Sequence, residues 1–377
     1  MKLLHTGDIH LDSAFCGNDV FSADHRREEQ RALLGRIFAC AREEECDLIL
    51  FSGDVFDGKY VSPETAELFV RLARDAEIPV VVSPGNHDPY AEGSLYRRAD
   101  LPENLKVFST PILSSFVFEA LKTKVYGYAF VGNALHESPL AGVEAIPKDG
   151  YFHLLCAHGD MASPVSRYAP LTKGDLARLS LDYAALGHIH RAEEDYSFEE
   201  TMVKYCGFPE GRSFDETGDG GVWIVTLREG EAPHAERRIL SRTRYEIETV
   251  ALDPIRDQGE WARNLEEICK RCAPTEQTHL RLILTGMMER EQLDEWIAEI
   301  GRIEDRFASL ELRDLSLPVC DGSVLEKDVS LRGAFYRELY PKLIDEDPKV
   351  RRAAARALQI GLAAIDGRRI PYEEGEA

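Results

Sequence analysis

Apolar residues in the first hundred positions fall into short runs and helical stripes that alternate along the chain. Leu3–Thr6 reads as a strand, and Asp24–Glu45 reads as a helix because Leu33, Leu34, Ile37, Phe38 and Ala41 recur at helical spacing. Leu48–Phe51 is a continuous apolar run of the kind that forms a strand buried on both faces. Ser62-Pro63 supplies an N-cap and a proline at the first helical position, and Ala66, Phe69, Leu72, Ala73 and Ala76 give the next helix a buried face. Ile78–Val82 predicts another buried strand. From about residue 104 the pattern turns to strands and turns, at Lys106–Phe108, Lys124–Tyr128, Phe152–Ala157, Tyr183–Leu186, Val222–Leu227 and Arg237–Leu240. Together these predict a layered α/β domain over residues 1–240.

A second module is predicted over 243–318. Tyr245–Val250, Leu280–Leu284 and Ser309–Leu317 read as strands, and Gln258–Cys272 and Glu289–Ile300 as the helices between them. Residues 319–377 read as a helical C-terminal segment. Leu331, Phe335 and Leu339 make one stripe; Asp347-Pro348 opens a helix with Val350, Ala354, Leu358, Gly361 or Leu362, and Ile365 on one face, and Asp366-Gly367 closes it. Composition alone favours packing of these helices on the chain's own body over docking to a partner. The acidic stretch Glu373–Glu376 is expected to be disordered.

With 377 residues, 44% hydrophobic and 30% charged, the chain has the make-up of a soluble protein of two or three domains. No apolar run is long enough to cross a bilayer, and the N-terminus enters a strand without the features of a signal peptide, so a cytoplasmic location is expected. The eight cysteines are scattered, which fits a reducing compartment; Cys269 and Cys272, the one CxxC pair, are expected to be ordinary helix positions. The net charge of −22 argues against a protein that coats nucleic acid but leaves a nucleic-acid enzyme open, since metals and a local basic groove can bind phosphates. Arg97-Arg98, Arg237-Arg238, Arg242 and Arg244 are local basic spots, each read singly as a solvated charge.

The candidate chemistry lies in five clusters: Asp8-Ile9-His10, Gly53-Asp54, Gly85-Asn86-His87-Asp88, His158-Gly159-Asp160 and Gly187-His188-Ile189-His190. The first three directly follow predicted strands, where open α/β sheets bind ligands. Histidine and aspartate together can hold a pair of divalent ions, and the mixed donor set suits Mn, Fe or Zn better than Ca or Mg. Gly53, Gly85, Gly159 and Gly187 are expected in tight turns beside the ligands. His5 and His153 lie inside strands and are read as packing or supporting residues, while His25, His136, His234 and His279 have no metal-site context.

The ordered set DxH, GD, GNHD, H and GHxH resembles the calcineurin-like metallophosphoesterase superfamily over residues 1 to about 212. The resemblance implies a four-layer β-sandwich flanked by helices. It implies that Asp8, His10, Asp54 and His190 hold one metal and that Asp54, Asn86, His158 and His188 hold the other, with Asp54 as the bridge. His87 would protonate the leaving oxygen or stabilise the transition state, and Asp88 would orient His87.

Leu4–Leu11, Gly53–Asp57, Tyr205–Pro209 and Phe214–Glu216 are similar to bacterial DNA repair exonucleases of the SbcD type, including the YhaO-like group. In that family the small α/β module is a DNA-capping domain. The C-terminal helices dock an SMC-like coiled-coil ATPase, and dimers form through the catalytic domain. The chain departs from many relatives at Asp57, where they carry a second functional histidine, and in being short and acidic for the main SbcD branch. The leading expectation is a manganese-dependent DNA exonuclease or endonuclease of DNA repair. The alternative is a phosphodiesterase or phosphatase of small nucleotides, and a third reading is a catalytically reduced scaffold for an ATPase.

Overall fold

The computed structural model describes residues 1–15, 23–58, 61–192, 196–198, 201–252, 258–272, 275, 277–288, 290–318, 322–365 and 367. Cys16, Glu289, Cys320, Asp366 and the acidic stretch Glu373–Glu376 lie outside the described residues. The chain divides into two units, Met1–Arg244 and Tyr245–Ala377.

The first unit runs β1 (Lys2–Thr6), α1 (Ala23–Glu43), β2 (Leu48–Phe51), α2 (Pro63–Asp75), β3 (Val80–Val82), β4 (Leu105–Val107), β5 (Ser114–Phe118), β6 (Thr123–Gly127), β7 (Phe152–His158), α3 (Lys173–Leu179), β8 (Tyr183–Gly187), β9 (Met202–Tyr205), β10 (Gly221–Thr226) and β11 (His234–Ile239). These make a six-stranded sheet ordered β11-β10-β1-β2-β3-β4 and a five-stranded sheet ordered β5-β6-β7-β8-β9. β1 to β4 are mutually parallel, as are β6 to β9.

Side chains alternate between the faces of a strand, so a continuous apolar run feeds two cores. In β2, Leu48 and Leu50 join the core between the sheets, with Leu154, Cys156 and Ala185 of the other sheet. Ile49 and Phe51 instead join the core under α1 and α2, with Leu34, Ile37 and Phe69. β8 divides likewise: Tyr183 and Ala185 face the first sheet, and Ala184 and Leu186 pack with Leu176 and Leu179 of α3. The result is a four-layer sandwich of helices, two sheets and helices, as the family resemblance implies.

Three elements of this unit carry no clear sequence signal. β5 is an edge strand whose Ser114 and Ser115 are exposed, and its apolar run is only the three residues Phe116–Phe118, too short to mark a strand by itself. β9 is short, and α3, at 7 residues, is too brief to display helical periodicity.

The second unit contains β12 (Arg244–Leu252), α4 (Gln258–Cys272), β13 (Thr278–Met288), α5 (Arg290–Gly301), β14 (Ser309–Asp314), β15 (Leu317–Pro318), α6 (Gly322–Lys327), α7 (Leu331–Leu343) and α8 (Pro348–Ile365). Its sheet has the order β12-β13-β14, with β15 also paired to β13. Leu280, Leu282 and Leu284 of β13 pack with Trp296 of α5 and with Cys269 and Cys272 of α4, so both cysteines are packing positions. α8 lies close against α7: a Cβ on Gly361 would sit 2.0 Å from the Phe335 ring. Leu331, expected on the buried stripe, is 68% exposed because it opens α7, beyond the reach of that packing. Among the described residues no helix is long and apolar enough to cross a membrane.

Candidate metal centre

The five clusters leave the C-terminal ends of β1, β2, β3, β7 and β8, which the parallel order brings to one edge of the two sheets. The turns there are tight. Asp8, His10, Asp54 and His188 have φ of 48°, 51°, 48° and 102°. Non-glycine residues seldom adopt positive φ, and such strain concentrates at functional sites. The loops after β1 and β2 are zipped together: the Asp8 amide donates to the Gly53 carbonyl at 3.0 Å and the His10 amide to the Asp54 carbonyl at 2.9 Å. Gly53 has φ 95°, and a Cβ on Gly85 would meet Asp54 Oδ1 at 2.2 Å, so both positions need glycine.

Asp54 is the centre of the arrangement. Its Oδ1 accepts from the His87 amide at 2.9 Å, which fixes the carboxylate plane. Its Oδ2 then lies 3.8 Å from His10 Nε2 and 3.4 Å from His158 Nε2. Asp8, His10 and His190 present ligand atoms within 4.8 Å of one another, and so do Asp8, Asp54 and His158. Asn86 Oδ1 is 3.0 Å from His158 Nε2. His188 stands beside this set, its ring 5.2 Å from that of His158, and lines the same pocket.

These residues fit divalent ions. His10 Nε2 is buried without a hydrogen-bond partner among the described residues, a costly state unless a cation takes its lone pair. Burial, chiefly, holds His158 and His188 down to about 4 and lowers His10, so all three are neutral imidazoles at neutral pH. Asp8 and Asp54 are 1% and 2% exposed and close together, an arrangement that calls for positive charge between them. His158 Nδ1 faces the Ser52 carbonyl at 3.0 Å, which turns Nε2 toward Asp54.

The calcineurin-like phosphoesterase family model matches residues 1–192. The chain belongs to that family. It is also 32% identical over 252 residues to the uncharacterized metallophosphoesterase YhaO of Bacillus subtilis (strain 168), a match covering 63% of this chain and 60% of the relative. Family members are phosphoester hydrolases that use divalent metals, and this chain has His and Asp clusters that could hold them.

Around the candidate ligands, the structure corrects one expectation. Asp88 does not orient the His87 side chain. It is buried, and its carboxylate is taken up by the amides of Gly85 at 2.7 Å, Asp54 at 3.1 Å, Val55 at 2.8 Å and Phe56 at 3.3 Å, and by the Tyr96 hydroxyl at 2.6 Å. Asp88 therefore ties the loop after β3 to the loop after β2. Burial and Asp54 push its carboxyl up to about 7, against the pull of Tyr96 and the amides.

The group that meets the His87 ring is Asp57, at 2.9 Å from Nδ1. The same Asp57 oxygen is 3.2 Å from His10 Nδ1. The hydrogen bond to Asp57 raises the His87 pKa, and Asp57, despite burial that would raise it, is held well below the usual carboxylate range by His10 and His87.

Glu216 and Arg212 lie outside the five clusters. Glu216 is 3% exposed, and its Oε1 is 2.8 Å from His190 Nδ1. Against the effect of burial, His190 and Arg212 hold the Glu216 carboxyl down to about 2. Glu216 lies beyond the candidate clusters in sequence, and nothing in its spacing marks it as a partner of His190. Cys206 donates its thiol to Asp8 Oδ2 at 3.2 Å. An open pocket of about 280 Å³ gives access to the centre and is lined by His10, Asp54, Asn86, His87, Tyr168, His188, His190 and Arg212.

The other histidines and basic spots serve elsewhere. His5 is buried between Tyr183 at 2.8 Å and Ser52 at 3.1 Å, and His153 between Tyr126 at 3.2 Å and Asp149 at 3.1 Å, so both are supporting residues. His25 and His234 pair with Glu29 and Glu236. Asp160 caps its own turn by accepting from Ala162 N at 2.7 Å. Arg237 is not a solvated charge: it donates to the main-chain carbonyls of Cys206 and Phe208, at 2.8 and 3.2 Å, and braces the segment after β9.

Proposed function

We propose that the chain is a two-metal phosphodiesterase acting on DNA in repair, with manganese as its metal and the cytoplasm as its location. The observation that carries the phosphodiesterase reading is the placement of Asp54 Oδ2 between His10 Nε2 and His158 Nε2. Asp8, His10, Asp54 and His190 would hold one ion, and Asp54, Asn86, His158 and His188 the other. Ions held there supply Lewis-acid polarisation of the phosphate and lower the pKa of the attacking water. His87, half-exposed at the pocket and with its protonated form favoured by its bond to Asp57, gives a proton to the leaving oxygen. Asp57 is the positioning residue for His87, and Asp88 holds the loop on which His87 and Asn86 stand.

DNA as substrate is supported by the second unit, whose small α/β core resembles a capping module in sequence order. A small-nucleotide hydrolase has no need of such a module. Docking of an SMC-like coiled-coil ATPase is supported by apolar exposure in the C-terminal segment, where Val324, Val329, Leu331 and Ile344 are 62%, 99%, 68% and 63% exposed. A homodimer through the catalytic domain is proposed from the same resemblance.

The test is incubation of the purified protein and Mn²⁺ with labelled linear duplex, single-stranded DNA and bis-p-nitrophenyl phosphate. Cleavage of DNA and of the small diester, both abolished by chelation, is the expected result. Cleavage of the small diester with no turnover of DNA at any salt would move the substrate to small nucleotides. His87→Ala should keep its metal and lose about 10²–10⁴-fold in turnover. Wild-type cleavage by that variant would remove the proton-donor role.

A further inference from the structure

We propose that Arg212 binds a non-bridging oxygen of the substrate's phosphodiester and that Glu216 holds the guanidinium in place for it. The inference deepens the phosphodiesterase reading and rests on it. Arg212 lines the pocket of the metal centre with His10, His87 and His190, and among the described residues it is the one Arg or Lys in that lining.

Its fork is half used. Nε donates to both Glu216 oxygens at 3.1 Å, Nη2 donates to Oε1, and the Arg212 amide donates to Oε2 at 2.8 Å. Nη1 has no partner among the described residues. A cation that served only to neutralise Glu216 would need no place in the pocket wall.

The anchoring is what makes the cation useful. A free arginine loses rotamer freedom when it grips an anion, whereas one already pinned through Nε and Nη2 loses little. Planar guanidinium donors match phosphate oxygens, and hydrogen bonds between charged groups are the strong ones. Glu216 is buried by the fold and takes His190 Nδ1 on the same oxygen that takes Arg212 Nη2. One carboxylate thus sets both a predicted metal ligand and the cation beside it, in a fixed relation that a reacting phosphate would bridge.

The test uses the full chain loaded with Mn²⁺ and inorganic phosphate as the probe. Phosphate affinity is measured by calorimetry, and as competitive inhibition of bis-p-nitrophenyl phosphate hydrolysis. Arg212→Gln should weaken phosphate binding about ten- to hundredfold and raise KM, with metal content unchanged. R212K, which keeps the charge but not the fork, should fall between, and millimolar guanidinium should restore part of the affinity of R212A. Unchanged phosphate affinity in a metal-loaded R212Q, or a loss that only follows loss of metal, would overturn the proposal. Should R212Q melt below the assay temperature, R212K decides: wild-type affinity there overturns it too. A wild-type protein that binds phosphate but hydrolyses no diester would sink the phosphodiesterase reading, while the calorimetry would still test Arg212.

Discussion

Asp57 carries two histidines on a single oxygen, and the consequences differ for each. His10 is pinned through Nδ1, so its Nε2 is left facing Asp54. His87 is half-exposed, and the same carboxylate favours its charged form. A raised pKa keeps His87 protonated to higher pH, so removing its cause should move the alkaline limb of the kcat profile to lower pH. Asp57→Asn is the variant for this. It should lower kcat by about ten- to hundredfold and shift that limb downward, with metal content measured alongside. An unmoved limb would mean that His87 draws its charge from elsewhere.

His5 makes a pH prediction about stability rather than turnover. Burial holds its folded pKa down to about 3, far below its ordinary value. Between these two values the unfolded chain binds a proton that the folded chain does not. The His5 contribution is therefore complete above the unfolded pKa and is lost as pH falls toward 3, by at most about 5 kcal/mol. His5→Gln, which can still bond Tyr183 and Ser52, should flatten the acid side of a denaturation-midpoint curve taken in chelator. Equal acid slopes in both proteins would rule out His5 as a source of acid sensitivity.

Among the elements, the loops after the parallel strands do the positioning, and they are where the sequence is most and least informative. The candidate ligands are legible because their clusters follow apolar runs, as Asp54 follows Leu48–Phe51. Their helpers are not. Asp57 reaches His10 across 47 positions, and Glu216 reaches His190 from the far side of β9, a separation that follows no helix or strand period. The role that the resemblance implies for Asp88 does not hold, because the backbone turns its carboxylate toward four amides and away from the His87 ring.

The glycine at the head of this loop gives the matching prediction. Gly85→Ala would set a methyl 2.2 Å from Asp54 Oδ1 and force the carboxylate out of line. Metal content measured after dialysis should fall while far-UV circular dichroism stays native. Full metal retention would show that the loop can yield.

At the scale of the whole chain, a layered α/β domain was legible because β2 and β8 each feed two cores, and a strand with both faces covered has to be apolar throughout; that the layers number four came from the family resemblance. The edge strand β5 was not legible, since its exposed serines satisfy no burial pattern. The C-terminal helices show the limit of periodicity from the other side. A helical stripe records which residues could be covered, and not what covers them. Phe335 is covered by α8 at Gly361, but Leu331 on the same stripe is open.

That open surface is the basis for the last prediction. Val329, Leu331 and Ile344 are exposed, and none belongs to the metal centre. Replacing all three by Asp removes apolar area and adds charge, which a docking helix cannot bury without cost. The triple variant should hydrolyse bis-p-nitrophenyl phosphate as the wild type does and fail to bind a purified SMC-like coiled-coil ATPase in size-exclusion chromatography. Retained binding would take the partner away from these helices. A parallel loss of diester hydrolysis would mean that the substitutions disturb more than a surface.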